Sequence, residues 1–144
     1  MNPTEPSNPP DTKPTAPRTM LGHLSLGVAD IQRSRTFYDA IFGAIGVVPV
    51  WQSEGAVGYG FPGGGDKLAL FEAKSHKGRL AAGPGFHLAF DAPSQEAVHQ
   101  FFAAAMASGG RSVGAPGPRP DYGETYYAAF VIDPDGHKLE IVHQ

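Results

Sequence analysis

An internal repeat constrains this chain more than any other feature. A histidine opens two short alternating stretches, His23-Leu24-Ser25-Leu26-Gly27-Val28 and His87-Leu88-Ala89-Phe90-Asp91-Ala92. Beyond each, the same landmarks return 64 residues apart: Asp30 with Ser94, Phe37-Tyr38 with Phe101-Phe102, Ala40 with Ala104, Gly46 with Gly110. Spacing of this kind marks one supersecondary unit used twice. The chain is therefore expected to fold as two like modules.

Each copy reads as the same series of elements. Residues 23–28 alternate, with Leu24, Leu26 and Val28 on one side and His23, Ser25 and Gly27 on the other, which is the pattern of a half-buried strand. Asp30 can cap a helix whose Phe37, Tyr38, Ile41, Phe42 and Ile45 form an apolar stripe, with Gly43 and Gly46 near its end. Strands are expected at 47–51, 56–61 and 67–73, the last two parted by Pro62-Gly63-Gly64-Gly65-Asp66. In the second copy a strand at 86–90 is followed by Ser94 as cap and a helix with Val98, Phe101, Phe102, Ala105 and Met106 inward. A strand near 111–115, a Pro/Gly-rich loop to 125, a strand at 126–132, the turn Asp133-Pro134-Asp135-Gly136 and a last strand at 137–143 complete it. The fold class is α+β: two βαβββ modules, about 20–73 and 86–144, within a single domain spanning 19–144. The basic stretch 74–85, with Lys74, Lys77 and Arg79, reads as a solvated connector.

Composition removes several classes of function. At 144 residues and 41% hydrophobic, the chain can bury a core without staples. It has no cysteine, so disulfides, thiolate metal sites and cysteine nucleophiles are excluded. A net charge of -3 and a pI near 6.0 give no footprint for nucleic acid. Residues 1–18 hold six prolines and no apolar core of a signal peptide, and read as a disordered leader. No apolar run reaches membrane-spanning length, so the expectation is a soluble, cytoplasmic protein that does not engage a membrane.

Period two puts His23 and His87 on the strand face opposite Leu24 and Leu88. In the last strand Leu139 and Ile141 continue the apolar face, leaving Lys138, Glu140 and Val142 on the face of the histidines. Two imidazoles and a carboxylate from three rigid strands form a three-ligand set with open positions, suited to Fe(II), Mn(II), Ni(II), Co(II) or Zn(II). A fourth ligand is harder to place. The repeat sets Ala69 opposite Glu140, and Glu72, three residues on, falls on the helix-covered face unless a bulge intervenes. His76, His99, His137 and His143 are expected to face water. Among Arg119, Tyr122, Tyr126 and Tyr127, which precede or open the strand bordering the site, Arg119, Tyr122 and Tyr127 are the candidates for substrate binding. Glu72 and Tyr127 are the candidates for a catalytic base.

The paired βαβββ units, the opening His-Leu-Ser-Leu-Gly-Val with Phe37-Tyr38 downstream, and the closing Asp133-Pro134-Asp135-Gly136-His137-Lys138-Leu139-Glu140 resemble the vicinal oxygen chelate superfamily of glyoxalases, bleomycin-resistance proteins and extradiol dioxygenases. The resemblance covers roughly residues 20 to 144. It implies modules paired edge to edge into a cupped mixed sheet, a divalent metal in the cup, and a homodimer. It also places the family's metal ligands on His23, His87 and Glu140. The activity it implies is that of a glyoxalase-like lyase or isomerase acting on a small oxygen-chelating substrate. Alternatives are an extradiol-type dioxygenase or thiol transferase on the same metal, and a metal-free ligand-binding protein like those that sequester bleomycin.

Overall fold

The computed structural model describes residues 17–74 and 78–144; the leader up to residue 16, and His76 and Lys77 of the connector, lie outside the described residues. The first module runs β1 (Leu24–Val28), α1 (Ile31–Gly43), β2 (Val48–Ser53), β3 (Ala56–Gly60) and β4 (Leu68–Glu72). The second repeats it as β5 (Leu88–Asp91), α2 (Gln95–Ala107), β6 (Arg111–Pro118), β7 (Tyr127–Ile132) and β8 (Lys138–His143). Both helices start where the sequence supplies a side-chain oxygen. Asp30 Oδ1 accepts from the amides of Gln32 and Arg33 at 3.0 and 3.1 Å, and Ser94 Oγ accepts from Ala97 at 3.0 Å.

Each module builds a four-stranded mixed sheet of the same order, β1-β4-β3-β2 and β5-β8-β7-β6. The first strand lies parallel to the last, and the remaining pairs are antiparallel. The ladders begin at Leu24 opposite Leu68 and Leu88 opposite Leu139. His23 and His87 therefore stand one residue outside their ladders, at the mouths of the sheets. The outer strands β2 and β6 each carry a proline and a register shift, two devices that blunt an edge against further pairing.

Within this chain the modules meet through their helices: α1 packs on α2, and among the described residues no strand of one sheet is hydrogen-bonded to a strand of the other. The edge-to-edge joining implied by the resemblance is thus not made inside one chain. A single buried core runs through both modules. Phe42 meets Phe90 edge-on at 5.1 Å, and Phe90 lies 6.0 Å from Phe101. Aromatic contacts of this kind fix the helix pair more tightly than area alone.

The turn between β7 and β8 clasps the first module. Asp133 accepts the Tyr38 hydroxyl at 2.7 Å and the amides of Asp135 and His137 at 2.9 and 2.8 Å. Burial, followed by the charge and hydrogen bond of Asp133, pushes the Tyr38 phenol well above its usual pKa, so it remains a donor. Asp135 Oδ1 takes the Ala29 amide at 3.1 Å and Arg33 at 2.7 Å, while Oδ2 takes the Ser34 hydroxyl at 3.2 Å. His137 is a correction to the sequence reading. It is buried, not water-facing, because its Nε2 reaches across the module boundary to the Gly27 carbonyl at 2.7 Å. Its Nδ1 has no hydrogen-bond partner among the described residues. His143 is also half-buried, with Nδ1 on the Ala92 carbonyl at 2.9 Å, whereas His99 is exposed.

Candidate functional site

The face of the second sheet turned away from the helices holds an open cleft of about 450 Å³. Strand alternation decides what enters it. In β8, Leu139 and Ile141 go to the core, so Glu140 goes to the cleft, with Ala89 of β5 and Phe130 of β7 beside it in register. His87 leans in from the leading end of β5. Its Nε2 lies 3.0 Å from Glu140 Oε1, and the side chains are 38% and 4% exposed. The second carboxylate oxygen, Oε2, accepts the Tyr126 hydroxyl. A buried carboxylate with a partner on each oxygen is a satisfied one.

The tyrosine that reaches the cleft carboxylate is Tyr126, not its neighbour Tyr127, which was the expected site residue. Partial burial, then the hydrogen bond and charge of Glu140, push the Tyr126 phenol from 10.0 up to about 12. It is therefore a neutral donor at physiological pH. Tyr127, expected at the site as a base and substrate contact, points the other way. It packs on the core and its hydroxyl meets His99 Nε2 of α2 at 2.6 Å. The period-two signal that sends Ala129 and Val131 inward sends Tyr127 with them and leaves Tyr126 with Phe130.

Of the other candidates, Arg119 and Tyr122 line the cleft, where the Tyr122 ring stands 5.4 Å from that of Tyr126. Lys138, which alternation had put on the face of Glu140, and Val113, Gly114 and Phe130, which no sequence signal marked, complete the wall. Glu72 is not in this cleft. The β4 register is unbroken on both sides, so Glu72 keeps the parity of Leu68 and Leu70, toward the helix, and lies opposite Val28. His23 is exposed at the mouth of β1 in the first module and does not line the cleft.

Whether these residues suit a metal ion can be tested on their spacing. Two donors bound side by side to an ion at about 2.1 Å stand about 3 Å apart. The 3.0 Å between His87 Nε2 and Glu140 Oε1 therefore fits two ligands of one ion as well as it fits a hydrogen bond. A third histidine or carboxylate is not brought to them, since no cluster of three such groups occurs among the described residues. To hold an ion, the pair would need a further donor.

Residues 20–141 match the family model of the glyoxalase/bleomycin resistance protein/dioxygenase superfamily. Among solved structures, a glyoxalase/bleomycin resistance protein from Albidiferax ferrireducens T118 is 31% identical, with 88% of this chain and 99% of that one covered and a TM-score of 0.74. A glyoxalase-related enzyme from Fulvimarina pelagi is 23% identical over 88% of this chain and 89% of that one, with a TM-score of 0.68. The genomically encoded fosfomycin resistance protein FosX from Listeria monocytogenes is 20% identical over 88% and 94%, with a TM-score of 0.64. The last two speak for the fold alone. No curated protein matches the chain.

Proposed function

Because the chain belongs to the glyoxalase/bleomycin resistance protein/dioxygenase superfamily, whose members generally use divalent metals, we propose a metal-dependent enzyme of lyase or isomerase type acting on a small oxygen-chelating substrate. The observation that carries this reading is the convergence of His87 Nε2 and Glu140 Oε1 at 3.0 Å in an open cleft. His87 and Glu140 supply two ligands. His23 of a second copy of the chain supplies the third, which makes the homodimer the working unit. A divalent ion bound there supplies Lewis-acid stabilisation of negative charge on a substrate oxygen. The rest falls to the chain itself. Tyr126 holds the Glu140 carboxylate in place and keeps its own proton, Phe130 walls the cleft beside His87 at 6.0 Å, and Tyr122 shields the entrance.

Metal analysis of protein purified without chelator tests this, beside His23→Ala and Glu140→Ala. The expected result is near-stoichiometric metal in the native protein and little in either variant. Refolding the two variants together then separates a shared site from one built in a single chain. Random pairing of a shared site restores about a quarter of the metal, and a single-chain site restores none. Absence of metal after reconstitution with each candidate ion defeats the metalloenzyme reading. The second reading, a metal-free ligand-binding protein, has its own supporting observation: Tyr126 and His87 already satisfy both Glu140 oxygens without an ion.

A further inference from the structure

The cleft contains two cations that no carboxylate among the described residues neutralises, and both lie against the same ring. Arg119 Cζ is 5.7 Å and Lys138 Nζ 5.3 Å from the centroid of Phe130. The ion pairs formed among the described residues are Arg33 with Asp135 and His87 with Glu140, so neither cation has a carboxylate partner there. Glu140, the cleft's own acid, is already engaged by His87 and Tyr126.

A solvated surface charge would account for Lys138 alone, which is exposed. It does not account for Arg119. That side chain is half-buried and curled back on its own strand, with one terminal nitrogen donating to the carbonyls of Gly117 and Pro118 at 2.9 and 3.3 Å and the other to Ala115 at 2.7 Å. Immobilising an arginine costs rotamer freedom, and carbonyl groups hold the guanidinium without cancelling its charge. The backbone makes room for it as well. A Cβ on Gly114 would stand 3.0 Å from Phe130 Cδ2 and 3.3 Å from an Arg119 terminal nitrogen, tight enough that the ring or the guanidinium would have to give by a few tenths of an ångström. Gly114 thereby leaves the space in which the guanidinium lies against the ring.

We propose that the substrate carries an anionic oxygen group, a carboxylate, phosphonate or phosphate, which the cleft takes between Arg119 and Lys138 at Phe130 while the reacting end lies toward His87 and Glu140. A fixed guanidinium and a mobile ammonium on one aromatic platform form an oxyanion seat with one preset wall and one adjustable wall. The inference rests on this cleft being the substrate site of the function proposed above.

Titration calorimetry at low and high salt tests it with phenylphosphonate, benzoate and the neutral benzamide as probes. Wild type is expected to bind at least one anion about tenfold more tightly than benzamide, as one charge-assisted contact implies, with the preference shrinking in salt. Arg119→Met and Lys138→Met should each lose about tenfold for the anion and leave benzamide unchanged, and Arg119→Lys should recover part of the loss. Lys138→Met, at an exposed side chain with only the ring contact, keeps the test decisive if Arg119→Met unfolds. Tighter phenylphosphonate supports a phosphonate or phosphate substrate, and tighter benzoate a carboxylate. Equal binding of benzamide, no binding of either anion, or Met variants with wild-type anion affinity overturns the proposal. Metal content of the same samples separates the two readings. A chain that holds its metal without preferring anions defeats the anion seat alone, and a chain without metal that prefers anions defeats only the metal reading.

Discussion

Ser25 stands beside Ala69 in the first sheet where Ala89 stands beside Glu140 in the second, so matching positions of the two registers carry a methyl group in one module and the central carboxylate in the other. The connections diverge as well. β2 and β3 are joined by Glu54 and Gly55 alone, whereas β6 and β7 are joined by residues 119–126, which bring Arg119, Tyr122 and Tyr126 over the sheet. In place of a cleft, the first module lays the Trp51 indole flat on Gly58, where a Cβ would stand 2.1 Å from the indole nitrogen, and sets Phe71 beside it at 6.3 Å. Duplication preserves the backbone pairing, and chemistry is added by one side chain and one longer loop.

The sharpest way to break this comparison is at the turns before β4 and β8. Asp133 is the hub of the clasp, so Asp133→Ala leaves the Tyr38 hydroxyl and two amides without acceptors and should cost about 3–5 kcal/mol by denaturant unfolding. Asp66, at the end of the matching turn in the first module, makes no side-chain hydrogen bond among the described residues, and Asp66→Ala should stay within about 0.5 kcal/mol. Similar losses at both would show that the turns do equivalent work.

Next in size is a transplant. Ala69→Glu puts a carboxylate at the first-module equivalent of Glu140, on a buried site roofed by Trp51, with His23 at the place of His87 but with no counterpart of Tyr126. It should destabilise by about 2–4 kcal/mol, the cost of burying an unpaired polar group. A stable variant that binds metal would mean that the first face is closer to a working site than its packing implies.

Tyr126→Phe is the mildest. It removes one hydrogen bond to a carboxylate, worth about 1–2 kcal/mol, and sharpens the account of why the second module holds a glutamate. The folded phenol titrates near 12 against 10.0 when unfolded, so its contribution is complete below pH 10.0 and is lost as pH rises through 12. Ultraviolet titration of phenolate should show one tyrosine ionising near 12 in wild type that moves toward 10.0 in Glu140→Gln. No movement would separate Tyr126 from Glu140.

The parts of the molecule legible in the sequence are those governed by short periods. Alternation in β5 and β8 located His87 and Glu140 on the face away from the helices, and single capping oxygens at Asp30 and Ser94 located both helix starts. Strand β6 was read only to residue 115 because its register shifts at Gly114 and its proline blur the period. Arg119 and Tyr122 are legible as candidates from the Pro/Gly-rich loop that carries them, whereas the choice of Tyr126 over Tyr127 and the seat at Phe130 depend on how that loop returns over the sheet, which no local pattern encodes. His137 was misread for a related reason: a turn residue looks solvated until the fold supplies the Gly27 carbonyl on another module.

The clasp also bears on the order of synthesis. The first sheet is complete once Glu72 has been made, yet the Tyr38 hydroxyl waits 95 residues for Asp133, and the apolar stripe of α1 waits for Phe101 of α2. For much of translation the first module is a finished sheet under an uncovered helix, with an unanswered donor beneath it. Docking of the two halves, and not formation of either sheet, is the event that ends the chain's exposure to misassembly.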